Sequence, residues 1–151
     1  MATRGIPLWP WLDQAADDLP SAERLLLDAA RLWQQEAQAA RPPAPALRML
    51  LTSADAGTAL EPLETILRLM PWGDQPFACL LCPAIHPVEG GFLLATALAQ
   101  RGAARESLVI WLRWMPLLDA CQALTHGVRL SAALRDGGLT LREPWRANGM
   151  R

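Results

Sequence analysis

Thirteen prolines divide this chain of 151 residues into short units, and their placement limits the fold more than any other feature of the sequence. Proline lacks the amide hydrogen that a helix interior or a central strand needs, yet it suits the first turn of a helix, where that hydrogen has no partner. Pro20, Pro62, Pro87 and Pro116 each stand at the start of a stretch with helical character, and Pro42, Pro43 and Pro45 close the first of these. The chain is thereby held to short helices joined by tight turns.

The clearest predicted helix spans 20–40, where Leu26, Ala29, Ala30, Trp33 and Ala37 follow the i, i+3, i+4, i+7, i+11 spacing of one face. Glu23, Arg24, Asp28, Arg31 and Gln35 are expected mostly on the opposite, solvated face. A second helix is predicted over 46–54, stopping at Gly57, and a third from Pro62 to Met70, with Glu61 as its N-cap and Leu63, Ile66, Leu67 and Met70 as its buried stripe. "PWGDQP" (71–76) reads as a turn cluster, and "FACLL" (77–81) as the one segment with extended character. Pro87 predicts a helix to about Gln100, with His86 at the N-cap, Glu89 in the first turn where the helix dipole favours a carboxylate, and Gly102 just beyond its end.

Segments 105–114 and 116–125 follow as two helices or one kinked at Pro116, and Gly127 separates a last short helix over 128–136. The first 18 residues form a Trp- and Pro-rich lead-in with one helical turn after Pro10, and residues 139–151 carry too little apolar content to order by themselves. The expectation is a single all-α domain, a compact bundle of about six short helices with at most one short extended segment.

Hydrophobic residues make up 52% of the chain and charged residues 19%. Such a chain can bury a core without disulfides and has apolar surface to spare, which favours self-association as a homodimer. All 14 basic residues are arginine, they are spread from Arg4 to Arg151, and the net charge is −1. The basic stripe that drives nucleic-acid binding is missing, so no nucleic-acid partner is expected. The longest apolar run, Leu108–Leu118, has 11 residues and contains Arg113, too short for a membrane span. Three cysteines, an odd number, with no secretory signal at the N-terminus, point to reduced thiols and a cytoplasmic location.

Chemistry-bearing residues concentrate in "FACLLCPAIHPVE" (77–89), which holds Cys79, Cys82, His86 and Glu89. A zinc site wants four Cys or His ligands, often in pairs at short spacing; Cys79, Cys82, Cys121 and His126 could supply the set. Against this, Leu80 and Leu81 fill the space between the first two cysteines, and Cys121 and His126 lie about 140° apart around a helix of 3.6-residue period. A thiol redox role for Cys79, Cys82 and Cys121 lacks the support of a helix N-terminus directly after the first cysteine, so the sulfurs of Cys79 and Cys82 are expected to supply apolar volume ahead of the helix.

His86 and Glu89, one helical turn apart, could instead provide the polar groups of a small-ligand site or an acid–base pair, but cap and first-turn charge already account for both. His126 is expected to interact with a helix C-terminus. No nucleophile or phosphate-loop motif is present, and no catalytic residue is assigned. Trp111 and Trp114 flank Arg113 in a segment apolar almost all round; these three residues form the expected interaction surface, or part of the core.

Four pieces, "LPSAERLLLDAARL" (19–32), "PLETILRLM" (62–70), Cys82-Pro83 followed by an acidic residue and an apolar helix, and Gly137-Gly138-Leu139, resemble a small uncharacterised bacterial family of helical proteins, a domain of unknown function. The family's cysteine run before the proline is denser, whereas here Leu81 separates Cys82 from Cys79. The resemblance implies a helical fold and no particular activity.

Overall fold

Pro20, Pro43 and Pro116 cap helices and Pro87 opens one, as expected of residues whose missing amide costs nothing there. The structure is a computed structural model and describes residues 14–71 and 75–144. It holds six α-helices among the described residues: α1 (Ser21–Gln38), α2 (Ala44–Ser53), α3 (Leu60–Leu69), α4 (Pro87–Gln100), α5 (Ala104–Trp111) and α6 (Leu117–Asp136). Short 3-10 turns at Ala16–Asp18 and Gly57–Ala59 precede α1 and α3. No strand occurs among the described residues; residues 77–81 are irregular, and the one extended pairing is an isolated bridge between Ala15 and Ala84. The helical turn expected directly after Pro10 lies outside the described residues, as does most of the lead-in.

α4 is the centre of the bundle, packed against α1, α5 and α6, while α6 also covers α3 and α1 covers α2. Every residue from Glu89 to Gln100 is buried, which is why this helix is apolar all round rather than along one stripe. Its few polar groups are satisfied inside: Thr96 Oγ1 donates to Phe92 O at 2.9 Å, and Ser107 Oγ of α5 donates to Ala95 O at 2.8 Å. Phe77, Phe92, Trp111 and Trp114 form a chain of edge-to-face ring contacts, with centroids 6.0, 6.1 and 6.3 Å apart. This chain ties the segment before α4 through α4 to α5, in the geometry that ring quadrupoles prefer.

Four expectations need correction. α3 begins at Leu60 with Ala59 as its N-cap, so Glu61 lies in the first turn rather than at the cap. α5 ends at Trp111, and residues 112–115 make the turn into α6. α6 runs unbroken through Gly127 for 20 residues. A glycine costs a helix interior only about 1 kcal/mol relative to alanine, and burial of Ala123, Leu130 and Leu134 along the same helix offsets that. Residues 139–144, short of apolar content, take their position from the bundle: Leu141 is buried, its N–H donates to Gln100 Oε1 at 2.7 Å, and its carbonyl accepts from Arg101 at 2.7 Å.

Gly127 within α6 and Gly137 at its C-cap test this account in opposite directions. A Cβ at Gly127 would meet nothing within 4 Å, whereas one at Gly137 would stand 2.7 Å from the Asp55 carbonyl oxygen. In urea unfolding, Gly127→Ala is expected to gain about 0.5–1 kcal/mol, and Gly137→Ala to lose about 1–3 kcal/mol.

Candidate functional site

α1 turns a second line of residues inward besides its apolar stripe. Glu23, Leu27, Arg31 and Gln34 follow one another at spacings of four, four and three, and all four are buried. The placement of Glu23 and Arg31 on the solvated face is therefore corrected. The three consecutive leucines, Leu25–Leu27, carry the signal for it: they widen the buried face beyond one stripe, and Leu27 starts the line on which Arg31 and Gln34 lie.

Each polar member of this line holds a non-helical segment. Glu23 Oε1 accepts the Arg142 N–H at 2.7 Å. Gln34 pairs with Phe77 through both its amide groups, donating to the carbonyl at 2.5 Å and accepting the N–H at 3.1 Å. Arg31 makes the largest set. Its Nε and Nη2 donate to Glu89 Oε2 and Oε1 at 2.7 and 2.9 Å, a bidentate pair with both side chains wholly buried. Nη1 donates to Cys82 O and Nη2 to Ala84 O, each at 2.8 Å. Burial opposes the Arg31 charge, but the hydrogen bond and charge of Glu89 outweigh it, so its pKa stands above the usual arginine value.

Glu89 is equally engaged. Besides the guanidinium, Oε2 accepts the Ala78 N–H at 3.0 Å and Oε1 the His86 N–H at 2.8 Å. His86 is the N-cap and Glu89 the third helical residue, reaching back as in a capping box. With two donors on each oxygen, this carboxylate is a structural anchor, and of the expected His86–Glu89 ligand pair only the His86 ring faces outward.

Held from behind in this way, the segment presents its sulfurs to solvent. Cys79 is exposed and Cys82 half-buried, and Leu81 between them is 92% exposed. The expectation that they fill apolar volume is thus overturned, because Arg31 draws the backbone carbonyls, not the side chains, into the protein. Cys82 Sγ lies 3.9 Å from His86 Nε2. A cavity of about 310 Å³ opens beside them, lined by Cys79, His86, Gln35, Gln38, Gln75 and the Arg31–Phe77 wall.

Cys121 is exposed on α6 and His126 sits in the middle of that helix, beside Arg129 rather than at a helix end. Among the described residues no three His, Cys, Asp or Glu side chains converge as metal ligands. Trp111 is fully enclosed within its own chain, Trp114 is half-buried, and Arg113 is exposed.

A second surface lies on α6. Leu118, Cys121, Thr125, Val128 and Ala132 recur at spacings of three and four and are all exposed. Leu117, at 62% exposure, and Leu118, at 71%, stand at its N-terminal end, with Leu112 and Val109 of the preceding segment also exposed. Among the described residues no helix is long and apolar enough to cross a membrane. No protein-family model matches the chain, and comparison with curated proteins and with solved structures finds none that matches it.

The Arg31–Glu89 pair has a sharp signature. Glu89→Gln keeps the side-chain shape but turns an NH2 group toward donors, since every lone pair of the carboxylate faces an N–H. It is expected to cost about 2–4 kcal/mol in denaturant unfolding, with an unchanged m-value.

Proposed function

We propose that this chain works by binding, as a homodimer joined through the exposed face of α6, rather than as an enzyme. The observation that carries this reading is the uncharged stripe Leu118–Cys121–Thr125–Val128–Ala132. Its alternating three- and four-residue spacing is that of a helix seam that packs against another helix. The stripe runs from Leu118 to Ala132 along α6, a seam about 21 Å long. A second copy is the occupant that the pattern fits best: small residues (Cys121, Thr125, Ala132) let two backbones approach, and Leu118 and Val128 supply the apolar anchors. Gln122 and Arg129 flank the seam, giving it the polar rim of an association surface.

The expected Trp111–Arg113–Trp114 surface is recast accordingly. Trp111 supports the interface from the core, and the exposed leucines on either side of the α5–α6 turn take its place at the surface. Free Cys79, Cys82 and Cys121 suit a reducing cytoplasm, and dispersed arginines with a net charge of −1 disfavour a nucleic-acid partner.

Light scattering of the reduced protein at tens of micromolar is expected to give twice the 16.5 kDa of one chain. The double variant Leu118→Arg/Val128→Arg is expected to return the single-chain mass with unchanged helical circular dichroism. A wild-type protein that is monomeric over this range would remove the proposal.

A further inference from the structure

We propose that the Cys79–Cys82 turn, His86 and the polar cavity beside them form a thiol–disulfide exchange site that takes a small peptide disulfide. The Cys82 N–H donates to the Cys79 carbonyl at 3.1 Å, closing a β-turn with Leu80 and Leu81 at its corners. Such a turn brings its first and last Cα atoms within about 7 Å, and a disulfide needs them about 4.4–6.8 Å apart. The two thiols can therefore join without displacing any helix. The turn is also fixed from behind, because Arg31 holds the carbonyls of Cys82 and Ala84 and is itself pinned by Glu89.

The two sulfurs have different surroundings. Cys79 is exposed and lines the cavity, which at about 310 Å³ is at the small end for a ligand site. Its rim carries the amide side chains of Gln35, Gln38 and Gln75, which donate and accept as peptide groups do. Cys82 is half-buried and within hydrogen-bond reach of His86 Nε2 at 3.9 Å. The Cys82 thiol also lies 3.6 Å from the Ala84 carbonyl oxygen, and a neutral imidazole carrying its proton on Nδ1 offers Nε2 as the base that accepts the thiol proton.

The chemistry follows from this division. The Cys79 thiolate attacks one sulfur of the bound disulfide, forming a mixed disulfide and releasing the first thiolate, which takes up the proton that Cys79 lost. Cys82 passes its proton to His86 and attacks Cys79 Sγ; the Cys79–Cys82 bond forms, and the bond to the second small thiol breaks. That thiolate leaves with the proton held by His86. Two electrons pass from the dithiol to the small disulfide, which departs as two thiols.

The test uses the full chain, reduced, desalted and incubated near neutral pH with oxidised glutathione, then read by intact and peptide mass. The expected product has lost two hydrogens, carries a Cys79–Cys82 bridge and retains Cys121 as its one free thiol of three. Cys82→Ser is expected to stop at a glutathione adduct on Cys79. His86→Ala is expected to let that adduct accumulate, with closure slowed about three- to tenfold. Bis(2-hydroxyethyl) disulfide, which lacks amides, is expected to react more slowly at Cys79.

The proposal is overturned if Cys79 and Cys82 stay free in folded protein, or if Cys121 alone is modified. A bridge between two chains in place of the internal one would also overturn it. Equal closure rates in wild type and His86→Ala would remove the imidazole's role, and equal rates with the two disulfides would remove the cavity's.

Discussion

One carboxylate, that of Glu89, receives four N–H donors: two from Arg31, one from Ala78 and one from His86. Residues 75–86, ahead of α4, lie in no helix or strand that would satisfy their backbone, and buried amides and carbonyls without partners are costly. Glu89 takes the amides, Arg31 takes the carbonyls of Cys82 and Ala84, and Gln34 takes both groups of Phe77. A buried ion pair of this kind offsets its own desolvation because the geometry is bidentate and the remaining hydrogen-bonding groups are used. What it contributes above all is position: it joins α1, α4 and the irregular segment through one set of hydrogen bonds.

That set of bonds has a consequence for chemistry. Because the main chain of 77–86 is drawn inward, the side chains of Cys79, Leu81 and His86 point outward, in a fixed relation to one another and to the cavity. A reactive pair on a mobile loop would lose that relation, whereas one on a segment anchored by a buried cation keeps it. The uncharged exposed stripe of α6 is a separate surface, carried by a different helix.

Much of the bundle was legible from local pattern. Proline at Pro20, Pro87 and Pro116 set helix starts, the assignment of His86 and Glu89 to the cap and first turn of α4 holds, and Gly102 ends that helix region in a left-handed conformation at φ 78°. These are short-range properties, decided by a residue's own backbone and its neighbours within one turn. Gly127 misled because a glycine's local cost is small beside what the rest of α6 buries. Arg31 misled because a charged residue on a helix is ordinarily solvated, and its partner is 58 residues away in sequence.

The amino-acid order alone therefore settled the all-helical class, the approximate number of helices and the start of the central one, since propensity, capping and apolar period act over a few residues. It left open which polar side chains are buried and which sulfurs are exposed. Those depend on where α1 meets the turn before α4, an encounter of segments distant along the chain. Only the packed bundle, by bringing Arg31 and Glu89 together, decides that the backbone of Cys82 faces in while the thiol of Cys79 faces out.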